Sequence, residues 1–96
     1  MEVIFKDQAY YRLEVDSQFT LGLPREVVFA YKRRVRYIRS ALDPRSFYMM
    51  KSLHFEKLKG NRLGQYSMRL NAQWRLIIEF PQRQGQVLIV SIVDYH

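Results

Sequence analysis

The chain of 96 residues lacks cysteine altogether and has only three prolines, four glycines and two histidines. The absence of cysteine excludes disulfides, thiolate nucleophiles and cysteine-based zinc sites, so neither a disulfide-stabilised secreted domain nor a thiol-dependent redox enzyme fits the sequence. The two histidines, His54 and His96, are too far apart in the chain to form a recognisable zinc-binding motif. We therefore expect neither a metal nor another cofactor.

Long apolar runs are missing as well. No stretch approaches the roughly 18 apolar residues that cross a bilayer. The opening residues 1–7 lack the basic and apolar segments of a signal peptide. The sequence thus predicts a cytoplasmic protein with no membrane partner. Because 48% of the residues are hydrophobic and 15% are aromatic, the chain has enough apolar side chains for one core, and we predict a single domain over residues 1–96.

Acidic residues are scarce, with nine Asp and Glu against sixteen Lys and Arg, and the imbalance is uneven along the chain. Residues 25–75 carry thirteen basic and three acidic side chains, a net charge of +10, whereas the remainder of the chain has a net charge of −3. Clustered cations gain affinity for polyanions by releasing counterions from phosphates. This segment favours a polyanionic partner, although charge alone does not identify it.

The first half of the sequence predicts one strand and two helices. Residues 3–5 form a short apolar run, and Asp7 suits the N-cap of a short helix that extends to about Ser17. Pro24 suits the first position of a second helix, which Asp43-Pro44 should end because proline disfavours helical geometry in the preceding residue. The buried stripe predicted for this second helix consists of Val27, Tyr31, Val35, Ile38 and Leu42.

The second half, from Leu53 onward, has the period of β-strands. Apolar and polar residues alternate over 66–70 and over 74–80, as in a sheet with one buried face. Residues 87–93 are almost continuously apolar, which predicts a strand buried on both faces. The chain therefore predicts an α+β domain with a short N-terminal strand, two helices and then an antiparallel twisted sheet.

The turn between the first two of these strands determines which side chains share a face. A two-residue turn at Asn71-Ala72 would pair Arg69 with Trp74 and place an arginine on the apolar face. An odd-numbered turn, most simply Leu70-Asn71-Ala72, places Arg69 and Arg75 together on the open side of the sheet. We predict the odd turn. The expected pairs are Met68 with Trp74 and Ser67 with Arg75.

Four blocks in the second half resemble the HigB toxins of the RelE/ParE toxin superfamily. They are a Leu-Lys-Gly turn at 58–60, a Tyr-Ser-hydrophobic-Arg strand at 66–69, a Gln-Trp-Arg strand at 73–75 and the ending Asp94-Tyr95-His96. Each block is short, but their shared order over roughly the last 45 residues makes the resemblance specific. The sequence departs from many HigB proteins by having Phe55-Glu56-Lys57 between His54 and Leu58, which leaves the role of His54 open.

The resemblance implies a RelE-like fold and the toxin of a type II toxin–antitoxin system. Such a toxin is a ribosome-dependent, metal-independent endoribonuclease that cleaves mRNA in the ribosomal A site and arrests translation and growth. The partners that it implies are mRNA, ribosomal RNA and a cognate antitoxin, expected to be a helix-turn-helix DNA-binding protein.

Metal-free RNA cleavage needs a group that accepts the proton of the ribose 2′-OH, a cation for the charged phosphorane and an acid for the departing 5′-oxygen. The resemblance assigns Arg75 as the cation and His96 as the acid or the base. Asp94 is a candidate for orienting the imidazole of His96, or for a structural hydrogen bond. Tyr95 is a candidate for base stacking or phosphate contact, or for a place in the core, and His54 completes the catalytic candidates.

Basic side chains around Gly60 are candidates for contacts with the RNA backbone, because lysine and arginine hold phosphates as point charges or as a fork. We expect Arg69 to join this group and Glu56 to pair with a nearby arginine, the alternative for Glu56 being a proton acceptor. The RNA-binding candidates are Lys57, Lys59, Arg62 and Arg69.

Two other functions fit the same sequence. A ParE-like toxin would have the same fold but inhibit gyrase through protein contacts, without catalysis. A non-catalytic RNA-binding module would need the basic segment but not the ending Asp94-Tyr95-His96.

Overall fold

The structure is a computed structural model that describes residues 1–95, and it confirms the α+β class. Two short 3₁₀ turns, Lys51–Leu53 and Gly60–Arg62, lie on either side of the second strand. The helices and strands, in chain order, are β1 (Glu2–Phe5), α1 (Gln8–Val15), α2 (Arg25–Ser40), α3 (Arg45–Met49), β2 (Glu56–Lys57), β3 (Gln65–Arg69), β4 (Trp74–Glu79) and β5 (Gln86–Asp94).

The strands form one sheet in the order β1-β5-β4-β3-β2. Strands β2 to β5 pair antiparallel, as predicted, but β1 pairs parallel with β5, so the sheet is mixed. A parallel pair requires a crossover, and the intervening chain supplies one. Strand β5 is buried on one face at Val87 and Ile89 and only partly covered elsewhere, so the prediction of burial on both faces holds only in part.

Helix α1 begins where the sequence predicts. The Asp7 carboxylate accepts a 2.8 Å hydrogen bond from the Ala9 backbone N–H, which satisfies one of the free donors of the first turn. The helix ends at Val15, two residues before the predicted end, because Asp16 adopts an extended conformation. Leu13 is the residue of α1 that is fully buried in the core.

Helix α2 buries the predicted stripe except for its last member. Pro24 precedes the first helical residue as the N-cap, and the helix ends at Ser40 instead of continuing to Asp43-Pro44. Ala41 is extended, so the chain leaves the helix and Leu42 is 93% exposed, which corrects its predicted burial. The N-terminal ammonium of Met1 donates to the carbonyl oxygens of Ile38, Arg39 and Ala41 and thereby satisfies this helix end. The buried members of the stripe are Val27, Tyr31, Val35 and Ile38.

Helix α3, which the sequence analysis did not predict, is too short for its apolar period to be recognisable. Its Phe47 is fully buried and lies within 5.4 Å of Phe55 and 6.5 Å of Phe80, measured between ring centroids. Phe55 in turn stacks on Tyr66 of β3. This aromatic cluster connects the segment before β2 to the sheet and so fixes the position of His54 beside it.

The connection between β3 and β4 is odd, as predicted, but its register differs by two residues. Arg69 pairs with Arg75, and the Leu70 N–H donates 2.9 Å to the Trp74 carbonyl, which leaves three residues in the turn. The Asn71 side chain closes this turn, since its Oδ1 accepts from the Gln73 and Trp74 N–H groups at 2.9 and 2.8 Å. The expected pairs are therefore wrong: Met68 lies opposite Leu76, and Ser67 lies opposite Ile77.

Within residues 1–95, no helix is long and apolar enough to cross a membrane.

Candidate anion-binding and catalytic site

Two arginines face each other across the β3–β4 hairpin. Arg69 and Arg75 are directly paired, so their side chains leave the same face of the sheet. This placement is the one predicted. However, the face is not open at Arg75. Ser67 and Ile77 are fully buried on it, and Arg75, which contacts His54 and Glu56, is only 9% exposed.

The Arg75 guanidinium is held by three oxygen atoms. Its Nη2 donates to the His54 carbonyl at 2.5 Å and to the Ser67 hydroxyl at 2.7 Å, and it lies 3.3 Å from a Glu56 carboxylate oxygen. Its Nε is buried and has no hydrogen-bond partner among residues 1–95. Burial lowers the pKa of Arg75, and the positive charge of Arg69 lowers it further, while Glu56 acts in the opposite direction.

His54 lies between the two arginines. It is exposed and has a left-handed backbone, with φ of 45° and ψ of 48°. Its carbonyl accepts from Arg75, and its imidazole Nε2 lies 3.3 Å from Nη1 of Arg69. The structure therefore brings His54, Arg69 and Arg75 together.

Tyr95 reaches the same face because of an irregularity in β5. Ile77 pairs with Ser91 but Ile78 pairs with Ile89, so Val90 is an extra residue without a partner on β4. An extra residue shifts the alternation of side chains, and bulges of this kind often redirect a side chain beside a functional site. The Tyr95 ring centroid lies 5.5 Å from Cζ of Arg75, and the residue is 46% exposed.

Asp94 lies on the other face. It pairs with Trp74, and its Oδ2 accepts a 3.0 Å hydrogen bond from the Gln73 side chain. The structure thus places Asp94 away from Arg75. His96, the main proton-transfer candidate, lies outside the described residues, directly after Tyr95 in the chain.

The basic residues around Gly60 lie at the opposite end of β3 from the arginine pair. Arg62 donates to Gln65 at 2.9 Å, and Gln65 is separated from Arg69 by the length of the strand, about 13 Å at the usual rise per residue. Lys57 pairs with Tyr66 and so lies on the side of the sheet away from Arg75. Lys59 is exposed beside the turn. The structure thus groups Arg69 with Arg75 and His54, and not with the Gly60 turn.

Two further residues, Glu56 and Ser67, belong to the site. Glu56 pairs with Arg75, which confirms the expected pairing with a nearby arginine, and its side chain is 53% exposed. Ser67 is a hydrogen-bond partner of Arg75 that sequence reasoning missed, although the Tyr-Ser-hydrophobic-Arg pattern contains it. The alternation of side chains along β3 predicted correctly that Ser67 lies on the same face as Arg75. Residues 1–95 contain no cluster of three His, Asp or Glu side chains suited to a metal ion.

Comparison with known protein families identifies the chain. A family model described as the RelE-like toxin of the type II toxin–antitoxin system HigB matches residues 3–96. The chain belongs to the HigB-like toxin family. This HigB-like protein is therefore a toxin of the type II toxin–antitoxin class, and the resemblance seen in its second half extends over nearly the whole chain.

Solved structures show the same fold at low sequence identity. The HigB-like chain matches the YoeB/ParE toxin from Agrobacterium tumefaciens with a TM-score of 0.61 and 14% identity, covering 100% of both chains. It matches the YoeB-YefM complex from Staphylococcus aureus with a TM-score of 0.62 and 23% identity, covering 100% of this chain and 97% of that one. The toxin–antitoxin complex RelBE2 from Mycobacterium tuberculosis gives a TM-score of 0.51 and 18% identity, over 99% and 96% of the two chains. No curated protein matches the sequence.

Proposed function

We propose that this HigB-like toxin is an endoribonuclease that cleaves mRNA on the ribosome without a catalytic metal, arresting translation and growth. The observation that carries the proposal is the directly paired Arg69 and Arg75 on one sheet face. Like charges directly opposite each other destabilise a sheet, and a buried donor without a partner, such as Nε of Arg75, also costs free energy. An anion bound between Arg69 and Arg75 would offset the repulsion between their charges.

Arg75 and Arg69 are the proposed cations for the scissile phosphate. A guanidinium stays charged and donates in a fork that matches phosphate oxygens, so it stabilises the extra negative charge of the phosphorane. The half-exposed Glu56 carboxylate lies 3.3 Å from Arg75, where the phosphate would replace it as the anionic partner of the guanidinium. Tyr95 covers Arg75 with an exposed ring, which suits stacking on an RNA base.

Proton transfer requires one acceptor and one donor. The ribose 2′-oxygen attacks phosphorus as its proton leaves, and the P–O5′ bond breaks as O5′ gains a proton, which gives a 2′,3′-cyclic phosphate and a 5′-hydroxyl. His96 exchanges protons readily near neutral pH and is our candidate for one of these steps, as acid or as base. Glu56 is an additional candidate for the acceptor, because its carboxylate adjoins the arginine that would hold the phosphate.

The proposed partners follow from family membership and charge. Relatives of the same fold form toxin–antitoxin complexes, as YoeB does with YefM, and we propose a cognate antitoxin of the helix-turn-helix type for this chain. Its contact surface should be net acidic where it meets residues 25–75, because complementary charge speeds association. mRNA in the A site and ribosomal RNA are the proposed nucleic-acid partners, with the cytoplasm as the compartment. Lys57, Lys59 and Arg62 are proposed to contact RNA backbone outside the catalytic centre.

Deletion of His96 tests the proposal. We expect the truncated protein to keep its fold and its affinity for ribosomes, measured by circular dichroism and by co-sedimentation, and to lose both growth arrest and codon-linked mRNA cuts. Full toxicity of the truncated protein would refute the assigned site. Inhibition of gyrase supercoiling by the wild-type protein, with intact mRNA, would instead identify a ParE-like toxin. Ribosome binding without cleavage or toxicity would indicate an RNA-binding module.

A further inference from the structure

His54 has a backbone conformation that few side chains adopt. Its φ of 45° places it in the left-handed region, although it is not a glycine. It lies next to the arginine pair. Left-handed backbone costs free energy in residues with a Cβ, and it persists where surrounding contacts hold it. At His54, the backbone N–H donates to the Lys51 carbonyl at 3.1 Å and ends the 3₁₀ turn, while the carbonyl and the imidazole contact the two arginines.

The backbone and the side chain of His54 each contact a different guanidinium. The carbonyl oxygen accepts from Nη2 of Arg75 at 2.5 Å, and Nε2 of the imidazole lies 3.3 Å from Nη1 of Arg69. A guanidinium has donors and no acceptor, so Nε2 must supply the lone pair in this contact. A hydrogen bond in this contact therefore requires a free lone pair on Nε2.

We infer that His54 is a positioning residue that holds the two guanidinium groups of Arg69 and Arg75 together to form one phosphate-binding pair. Without a link, the directly opposed side chains would repel each other, and the more exposed Arg69 would turn toward solvent. The link uses an acceptor on the imidazole and a left-handed backbone, and it involves no proton transfer by His54. The inference rests on the proposed function of the arginine pair.

The two contacts of His54 can be separated by substitution. Glycine adopts the left-handed backbone without cost, so His54→Gly keeps the carbonyl contact with Arg75 and removes the imidazole contact with Arg69. Asparagine is also tolerated in this region and carries an amide oxygen, so His54→Asn keeps an acceptor on the side chain. Ser52→Ala, at an exposed and uncharged residue two positions earlier, is the matched control.

Kinetics on ribosome-bound mRNA distinguish positioning from proton transfer. For His54→Gly we expect kcat/KM to fall about tenfold, which is the usual effect of losing a hydrogen bond to a charged group. For His54→Asn we expect kcat/KM to stay within about threefold of the wild-type value. Equal losses of roughly 10²-fold to 10⁴-fold in kcat for both variants, the effect of removing a general acid or base, would overturn the inference.

NMR of the free protein tests the same link without relying on cleavage. Arg69 side-chain N–H resonances should show restricted motion in the wild-type, His54→Asn and Ser52→Ala proteins, and fast motion in His54→Gly, while Arg75 stays ordered in all four. An Arg69 side chain that is equally mobile in the wild type and in His54→Gly would overturn the inference. If the wild type shows the ordered Arg69 but cuts no mRNA, the proposed function fails while the positioning role of His54 stands.

Discussion

The Ser67 hydroxyl accepts a 2.7 Å hydrogen bond from the Arg75 guanidinium on a face of the sheet where both residues are buried. The bond is diagonal across the hairpin, since Ser67 pairs directly with Ile77 and not with Arg75. It anchors Arg75 to β3, while the His54 carbonyl and the Glu56 carboxylate contact the same guanidinium. Arg75 is therefore both a structural residue and the proposed phosphate ligand, and its substitution should affect both properties.

Arg75→Lys should distinguish the contribution of the positive charge of Arg75 from that of its forked guanidinium geometry. Lysine keeps the positive charge but lacks the fork, so we expect mRNA cleavage to fall by about 10²-fold or more, the usual effect of losing a positioned donor to a developing anion. The buried Ser67 hydroxyl and the partly buried His54 carbonyl lose their partner, which should lower the free energy of unfolding by about 1–3 kcal/mol in urea denaturation. Arg83→Lys, on the exposed β4–β5 turn, should change neither value. Near-normal cleavage by Arg75→Lys would contradict the assignment.

Substitutions of Tyr95 test whether its ring stacks on an RNA base or its hydroxyl takes part in the reaction. Its exposed ring lies over Arg75, so a stacking role predicts that Tyr95→Phe keeps cleavage within about threefold of wild type. Tyr95→Ala removes the ring and should weaken productive binding by roughly tenfold or more, the range seen when a stacked aromatic is lost. The measurement is kcat/KM on ribosome-bound mRNA. If the phenylalanine variant is as impaired as the alanine variant, the hydroxyl is the important group.

Alkaline unfolding should depend on Tyr31. Its fully buried side chain donates a 2.7 Å hydrogen bond to the Tyr10 carbonyl, and burial raises the pKa of the Tyr31 phenol well above its ordinary value of 10.0. In the unfolded chain Tyr31 ionises near its ordinary pKa, so its contribution to stability is fully present below that pH and is lost as the pH rises above it.

The prediction is a free energy of unfolding that falls above about pH 10 in the wild type and falls less steeply in Tyr31→Phe. At neutral pH the phenylalanine variant should be less stable by about 1 kcal/mol, because the Tyr10 carbonyl loses its donor. Tyr48→Phe, at a tyrosine that is 58% exposed, is the control and should follow the wild-type pH profile. Identical alkaline profiles for wild type and Tyr31→Phe would argue against the buried phenol.

The end of α2 can be checked with a pair of substitutions. Leu42 is 93% exposed, so Leu42→Ser should change the free energy of unfolding by no more than about 0.5 kcal/mol. Ile38→Ala, one turn earlier and fully buried, should cost about 2–5 kcal/mol. Urea denaturation of the two variants measures both values. A large loss for Leu42→Ser would mean that the helix continues and buries this side chain, as periodicity alone had predicted.

The error at Leu42 shows the limit of periodicity. The spacing of apolar residues from Val27 to Leu42 is consistent with one helix, but the helix end is set by long-range contacts: the Met1 ammonium binds the terminal carbonyls. Nothing local to residues 38–42 encodes that contact. By contrast, Asp7 acts within its own turn, and its role as the N-cap was predicted correctly.

The site shows the same division between local and long-range information. Side-chain parity placed Arg69 and Arg75 on one face correctly, because parity depends only on whether the turn is odd. The register itself depends on Asn71, whose side chain closes the turn one residue later than expected. The contact of His54 with Arg75 depends on how the segment before β2 packs against the sheet, and that of Glu56 depends on the pairing of β2 with β3. The unpaired Val90 in β5, which brings Tyr95 to Arg75, has no sequence signal.

The chemistry of the cut ends is the most direct test of ribonuclease action at the arginine face. The purified protein is incubated with programmed ribosomes, and the new 5′ ends of the mRNA are mapped and assayed for a hydroxyl or a phosphate, with Arg75→Lys in parallel. Attack by the ribose 2′-oxygen predicts 5′-hydroxyl ends that require the ribosome and are strongly reduced with Arg75→Lys. Intact mRNA with the wild-type protein, or 5′-phosphate ends that Arg75→Lys produces equally well, would contradict it.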